Sequence, residues 1–278
     1  LDFLSFPMSR RAHAPVVTTL HGRLDLPELV PIFEEYAEMP VVSISNAQRT
    51  PLPGANWSGT VYHGIPKNLY SYHSGSGSYL AFLGRISPEK CPDHAIEIAK
   101  RAGMPLRIAA KVDPADRDYF HNKIERLLEH PLIEYVGEIT DAEKNDFLGD
   151  AAALVCPYDW PEPFGLVLIE AMACGTPVLA YRRGSIPEII EHGVTGYVCD
   201  NLNEIVQSVS ALPLIDRQNC REVFERRFTV ERMVRDYLNL YERVAGAPLR
   251  PRLLSPTRAT NHVRAGVART LAPQTDVA

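Results

Sequence analysis

The sequence predicts an α/β protein of the doubly wound kind, and three observations carry that expectation. Short apolar runs alternate with helical patterns from Tyr79 onward. The runs are apolar at consecutive rather than alternate positions, as in strands of a parallel sheet covered on both faces. A shorter series of the same kind occupies residues 1–66, so the chain holds the latter part of one α/β unit and about six strands of another.

The elements follow in order. "PVVTTLHG" (15–22) is a buried strand of β-branched residues ended by a loop. "LPELVPIFEEYAEM" has helical spacing, with Pro27 suited to a first turn. "PVVSIS" (40–45) and "GTVYHGIP" (59–66) are two further strands. "PKNLYSYHSGSGSY" (66–79) is polar with a Gly-Ser core and is the linker of the chain. Then "YLAFLGR" is a strand, and "CPDHAIEIAKRAG" a helix stopped by Gly103. "PLRIAAKV" is a strand, and "DPADRDYFHNKIERLLEH" a helix with Asp113 as its N-cap. "LIEYVG", "AALVCP", "PVLAY" and "GYVCD" are strands, separated by helices in "TDAEKNDFLGDA", "FGLVLIEAMACG" and "SIPEIIEHG". Helical stretches continue to about Ala245.

Bulk properties narrow the function. The 278 residues are 45% hydrophobic with a formal net charge of -5, a globular profile that speaks against nucleic acid as a partner. No apolar run reaches the ~20 residues that cross a bilayer, and no stretch has the pattern of a secretory signal. The five cysteines are odd in number and form no Cys-x-x-Cys pair, which suits a reducing cytoplasm and argues against a disulfide framework or a zinc site. The tail from Gly246 carries Arg250, Arg252, Arg258, Arg264 and Arg269 against the single acid Asp276. It is expected to be disordered, with contact at an anionic membrane surface as the sharper alternative. The start at Leu1, running straight into a strand-like segment, is expected to be an interior one.

Ligands of doubly wound sheets bind beyond the carboxyl ends of the strands, so the loops there are the candidates for chemistry. After "YLAFLG" come Arg85 and Lys90, one in the loop and one at the start of a helix, with Gly84 allowing a close backbone approach. A diphosphate suits this pair, because Arg binds phosphate as a fork and Lys as a point charge. A Lys at a helix start is electrostatically disfavoured unless something compensates it. After "AALVCP" comes "PEPFGLVLIEAMACG", which places Glu162 in a loop and Glu170 on a helix, eight residues on. The amides near Gly165, Leu166 and Val167 form that helix's start, an anion site. Glu170 sits within an apolar run, where a charge is costly unless paired or liganded. A carboxylate there can accept bonds from two sugar hydroxyls. His21 ends its strand and can exchange a proton or hydrogen bond with a ligand, although a lone His is more often structural. Asp116-Arg117-Asp118 is taken as a solvated helix start. "HSGSG" joins no strand to a helix, so it is not taken as a phosphate cradle.

These residues resemble a known family. Gly84-Arg85 with Lys90, Glu162-Pro163-Phe164-Gly165, Glu170-Ala171-Met172-Ala173-x-Gly175-x-Pro177-Val178, Gly184-Ser185-x-Pro187-Glu188 and Gly193-x-Thr195-Gly196 look like the retaining glycosyltransferases of the GT-B fold, family 4 (glycosyl transferases group 1). The match covers most of residues 15–245, and the two-glutamate element is its most specific part.

The resemblance implies two doubly wound, Rossmann-like domains facing a cleft, the N-terminal one incomplete. Residues 1–66 would be the remainder of the acceptor-side domain, 67–78 the linker and 79–228 the nucleotide-sugar domain. Residues 229–245 would form a helix crossing back, and 246–278 the basic tail. Glu170 would hold the ribose, while Arg85 and Lys90 neutralise the diphosphate with the amides at Gly165, Leu166 and Val167. Glu162 would contact the donor sugar, beside Gly84 and Phe164. Gly137, Glu138 and Ile139 would lie along the base, and His21 would stand near the transferred sugar. The donor would be a nucleotide-diphosphate sugar, and the acceptor a sugar, a lipid-linked sugar or a small molecule. No metal or other cofactor is implied, because Arg and Lys take the role of a divalent ion.

Two departures stand out. No Gly-rich loop precedes His21, and His63 stands where many relatives have Asn. The alternatives are a truncated, catalytically weak nucleotide-sugar-binding module, a nucleotide-sugar epimerase of the same fold, and a phosphorylase, whose cofactor-lysine motif is not recognised here. The expected location is the cytoplasm, with peripheral membrane contact at most.

Overall fold

The computed structural model describes residues 2–246; the basic tail beyond them lies outside the described residues. Two parallel sheets organise the chain. The first has three strands, β1 (Thr18–Thr19), β2 (Val41–Ser43) and β3 (Trp57–Thr60), in that order. The register pairs Thr18 with Val41, and Val41 with Trp57. Around it lie the short helices α1 (Phe6–Ser9) and α2 (Val30–Glu35), the latter entered through a 3-10 turn at Pro27–Leu29.

The second sheet contains β4 (Tyr79–Arg85), β5 (Leu106–Lys111), β6 (Ile133–Gly137), β7 (Ala151–Cys156), β8 (Val178–Tyr181) and β9 (Gly196–Cys199). Its order is β6-β5-β4-β7-β8-β9, all neighbours parallel. Helices α3 (Pro92–Ala102), α5 (Asp141–Gly149), α6 (Leu166–Ala173), α7 (Ile186–Ile189), α8 (Leu202–Val209) and α9 (Arg217–Arg227) accompany these strands. Every residue of β7 and β8 is buried, as two covered faces require. Gly103 takes a left-handed φ of 65° and ends α3.

The order β4, β5, β6 runs outward one way, and β7, β8, β9 the other. The winding reverses between β4 and β7, which leaves a crevice beyond their carboxyl ends.

Three local expectations are corrected. The strand expected at 59–66 is Trp57–Thr60; beyond it the chain leaves the sheet, and the Ile65 N–H donates to the Phe228 carbonyl at 3.0 Å. The helix expected from Asp113 is a chain of short turns: a 3-10 turn at Pro114–Asp116, α4 (Arg117–Tyr119), a π turn at Phe120–Ile124 and a 3-10 turn at Glu125–Glu129. Asp113 does not cap it, because its carboxylate faces Lys111 at 3.0 Å and Arg85 at 3.4 Å. Asp116 is not a plain solvated start either; its carboxylate lies 3.8 Å from Arg85.

The stretch 66–78 is fastened along its length. Arg221 donates to the carbonyls of Tyr70 and Lys67, each at 2.9 Å. Arg217 donates to the carbonyls of His73, Ala151 and Gly149 and to the Thr176 hydroxyl, all at 2.7–2.9 Å. A cation donating four such bonds satisfies buried acceptors that would otherwise be stranded.

The last helix, α10 (Val230–Ala245), returns to the three-stranded sheet. Leu240 packs with Val42 and Val61 in a small core, and the Tyr237 and Thr19 hydroxyls are 3.1 Å apart. A second tie is Glu188 of α7. Its carboxylate accepts from the Asn46 and Ala47 amides at 2.8 and 2.6 Å, and from the Tyr62 hydroxyl at 2.8 Å. Those amides open a 3-10 turn (Ala47–Arg49), where backbone N–H groups lack partners within the turn. Among the described residues no helix is long and apolar enough to cross a membrane.

Two expectations follow from these ties. Arg217→Ala strands its carbonyls, and urea denaturation should show stability lower by roughly 3 kcal/mol; a loss within error of zero contradicts it. Glu188→Ala should speed hydrogen exchange at the Asn46 and Ala47 amides by about tenfold or more; unchanged protection there means the carboxylate does not hold the sheets together.

Candidate active site

The loops after β4 and β7 flank the reversal point and carry the predicted residues. Lys90 ends a 3-10 turn at Pro88–Lys90, and Cys91, with φ 48°, separates that turn from α3. Lys90 therefore lies just before α3, at the helix start that the sequence suggested. Its ammonium lies 2.5 Å from a Glu162 carboxylate oxygen and 3.9 Å from the Tyr158 ring centroid, with Trp160 at 5.3 Å. The carboxylate and the aromatic faces together offset the cost of holding that cation out of water.

Glu162 is held from the β8–α7 loop. Its carbonyl accepts from the Ser185 N–H at 2.9 Å, and a Cβ on Gly184 would come within 2.4 Å of that carbonyl oxygen. The Ser185 hydroxyl donates to the Phe164 carbonyl at 2.9 Å. The Gly184-Ser185 segment thus braces the backbone of the whole "EPF" turn.

Gly165 precedes α6 with φ 79° and ψ 73°, a left-handed conformation that aims the chain into the helix. The first amides of α6, at Leu166 and Val167, have no acceptor within the helix. Leu166 is half exposed. Gly84 is open too: a Cβ there would meet nothing within 4 Å.

Arg85, at the end of β4, is 48% exposed and ringed by acids, with Glu89 at 2.9 Å, Asp113 at 3.4 Å and Asp116 at 3.8 Å. A diphosphate would have to draw it away from these partners. Glu170 is mostly buried on α6, with the Tyr70 hydroxyl at 3.2 Å and the Lys144 ammonium at 3.5 Å. Burial first, and then the Glu170 charge, push the Tyr70 phenol up, so it stays protonated as a donor. Gly137, with φ 82°, ends β6, and Glu138 and Ile139 follow at the same end of the sheet, but at its edge.

His21 comes from the other sheet, just past β1. Its ring stacks on His63, with centroids 5.3 Å apart and planes 10° apart. The His63 ring in turn meets Phe164 edge-on at 4.9 Å and 87°. Phe164 is 2% exposed, with Tyr62 and Phe228 at 6.2 Å each, so its side chain fills the contact between sheets and is not open to a ligand. Burial, then His21 and the Arg232 cation, push the His63 imidazole down to about 4.

The structure therefore places Arg85, Lys90, Glu162, Gly165 and Glu170 in the loops and helix that follow β4 and β7, with His21 joined to Phe164 through the His63 ring. Sequence reasoning missed Tyr70 and Lys144 beside Glu170, Tyr158 beneath Lys90, and the structural part of His63. Tyr70 lies in the polar stretch taken as linker, and Lys144 on an ordinary charged helix, so neither carried a local signal. The costly charge at Glu170 did announce that some partner was needed.

Known proteins resemble the chain in sequence and in fold. The family model of glycosyl transferases group 1 matches residues 73–223. An uncharacterised glycosyltransferase of Methanocaldococcus jannaschii is 27% identical over 197 residues, 66% of this chain and 53% of that protein. A D-inositol 3-phosphate glycosyltransferase of Salinispora tropica is 31% identical over 185 residues, 59% of this chain and 38% of that protein. The chain thus spans about half, or less, of these curated relatives. Among solved structures, Anabaena HepE in complex with UDP and glucose superposes with a TM-score of 0.70 at 22% identity, over 84% of this chain and 73% of that one. Sucrose-phosphate synthase of Thermosynechococcus elongatus gives 0.72 at 18% identity, over 87% and 71%. The fold is that of the GT-B glycosyltransferases. With more than half its length matched by that family model, the chain belongs to the glycosyl transferases group 1 family.

Proposed function

We propose that this chain is the catalytic part of a retaining glycosyltransferase of family 4, moving a sugar from a nucleoside-diphosphate donor to an acceptor hydroxyl. The observation that carries it is the convergence at the sheet's reversal point: Lys90 on Glu162, the open start of α6 after Gly165, and His21 of the other sheet joined through His63 to Phe164 just before that start.

In this reading residues 79–228 hold the donor and 1–66 face the acceptor, with 67–78 between them and 229–245 crossing back. Glu170 accepts the ribose hydroxyls, with Tyr70 and Lys144 fixing its carboxylate. Lys90 and the amides at Gly165, Leu166 and Val167 take the diphosphate, and Arg85 joins them by turning from its acids. Glu162 holds the donor sugar's hydroxyls, Gly84 leaves room for the phosphates, and Gly137, Glu138 and Ile139 border the base. Phe164 serves through its backbone only.

The reaction runs on one face of the sugar. The bond from the anomeric carbon to the diphosphate breaks, the acceptor oxygen takes its place, and the hydroxyl proton passes to the departing phosphate oxygen. Positive charge on Lys90 and the helix start stabilises the leaving group, so the step is assigned to preorganised electrostatics rather than a metal or an enzymic nucleophile. The five buried free cysteines support a reducing cytoplasmic setting.

One observation favours a second reading, a module that holds a nucleotide sugar with weak turnover: the engagement of Arg85 by three carboxylates. Release of the nucleoside diphosphate from a bound nucleotide sugar separates the two.

Titration calorimetry with UDP, GDP and ADP tests the donor site, and UDP comes first because HepE was crystallised with UDP and with UDP-glucose. Saturable binding of one nucleotide is expected, weakened about 10- to 100-fold in Glu170→Ala by loss of hydrogen bonds to a charged group. Equal binding by the variant removes Glu170 from the site, and no binding by any nucleotide removes the donor assignment.

A further inference from the structure

His63 sits where three contacts fix its backbone. Arg232 of α10 donates to the carbonyls of both Tyr62 and His63 at 2.8 Å. The next residue, Gly64, lies so close to Thr229 that a Cβ would come 2.2 Å from its carbonyl oxygen. Ile65 then pairs with the backbone between α9 and α10. A ring mounted on such a base has little freedom to shift.

That ring stands between His21 and Phe164. It lies flat against the first, at 5.3 Å and 10°, and edge-on to the second, at 4.9 Å and 87°. Phe164 is itself locked by Tyr62, Phe228 and the Ser185 hydroxyl on its carbonyl, and it directly precedes Gly165 at the start of α6. Three rings in series thus connect the loop after β1 to the helix start assigned to the diphosphate. His21 by contrast is exposed, on a loop after a strand of only two residues. Displacement of a reacting group by about 1 Å can cost about 100-fold in rate.

We infer that His63 is a positioning residue for glycosyl transfer: wedged between His21 and Phe164, its ring sets where the His21 imidazole stands relative to the start of α6. The inference rests on the reading that His21 acts beside the transferred sugar. The groups facing His63 are the His21 ring, the Arg232 guanidinium and the Phe164 edge. With its imidazole pushed down to about 4, chiefly by burial, His63 is uncharged near neutral pH. It therefore packs on His21 as a neutral ring. Aromatic faces in such offset and edge arrangements attract by about 0.5–1.5 kcal/mol beyond area burial.

The test uses the full chain with His63→Ala, His63→Phe and His21→Ala. Two quantities are read: kcat and KM for UDP-glucose from UDP release (or the GDP or ADP sugar that calorimetry selects), and the His21 imidazole proton resonance with its pH titration. His63→Ala should lower kcat about 10- to 100-fold with KM nearly unchanged, and should shift the His21 resonance. His63→Phe keeps an aromatic face and should restore most of kcat. His63→Leu replaces His63→Ala if the latter does not fold. Unchanged kcat and an unmoved His21 resonance in His63→Ala overturn the inference. If His21→Ala retains full turnover, the reading of His21 fails instead, and the resonance alone then decides whether His63 holds His21 in place. The same holds for a chain without measurable turnover.

Discussion

The carboxylate of Glu188 ties the two sheets together beside the candidate site. Each oxygen accepts from a backbone amide of the three-stranded side, and one accepts from Tyr62 as well. Backbone donors cannot change rotamer, so this is a stiffer link than a pair of surface side chains in salt. Burial first, and then the bond to Glu188, push the Tyr62 phenol up to about 12, which keeps it a donor. Tyr62 is the neighbour of His63, so the link also anchors the ring stack that places His21. On the other side, Arg227 donates to the Glu188 carbonyl and to the Glu191 carboxylate, which steadies the short α7 against α9.

Charge at the crevice is balanced internally. Lys90 spends its charge on Glu162 and two aromatic faces, Arg85 on three acids, and Glu170 on Tyr70 and Lys144. Isolated buried charges would be far more costly than these pairs. A ligand carrying both phosphate and hydroxyls matches such a site, because it can replace partners on each side at once. In the proposed reading phosphate would take the cations and hydroxyls the carboxylates, leaving no charge stranded. Arg85, being the most exposed of the set, is the cheapest to redirect.

The backbone at this end of the molecule is shaped by close approaches rather than by flexibility. Gly184 lies on Glu162, Gly64 on Thr229 and Gly77 on Ala152, each with no space for a Cβ. These are places where one loop is set against another, and each bears on a residue of the site or on the segment that delivers Tyr70.

The sequence by itself determined what depends on near neighbours. Buried parallel strands need unbroken apolar runs, so "YLAFLGR", "AALVCP" and "PVLAY" were legible to within a residue or so. Gly103 as a helix stop follows from local backbone sterics. A glutamate in "LVLIEAMA" announced an unusual site because a charge on a buried helix must find a partner. Only the tertiary structure decided which partner. Tyr70 lies 100 residues from Glu170, and Glu188 meets amides more than 140 residues away. The same distance effect undid the expected helix at 113–130, whose capping acid turned to Arg85 and Lys111 instead. His63 stood out in the sequence only as a departure from the family pattern, since a ring's role there comes from the two rings that the fold sets on either side of it. Propensity and periodicity act over a turn or a strand, whereas ion pairs, stacks and the strand order that opens the crevice between β4 and β7 are set by packing of distant segments.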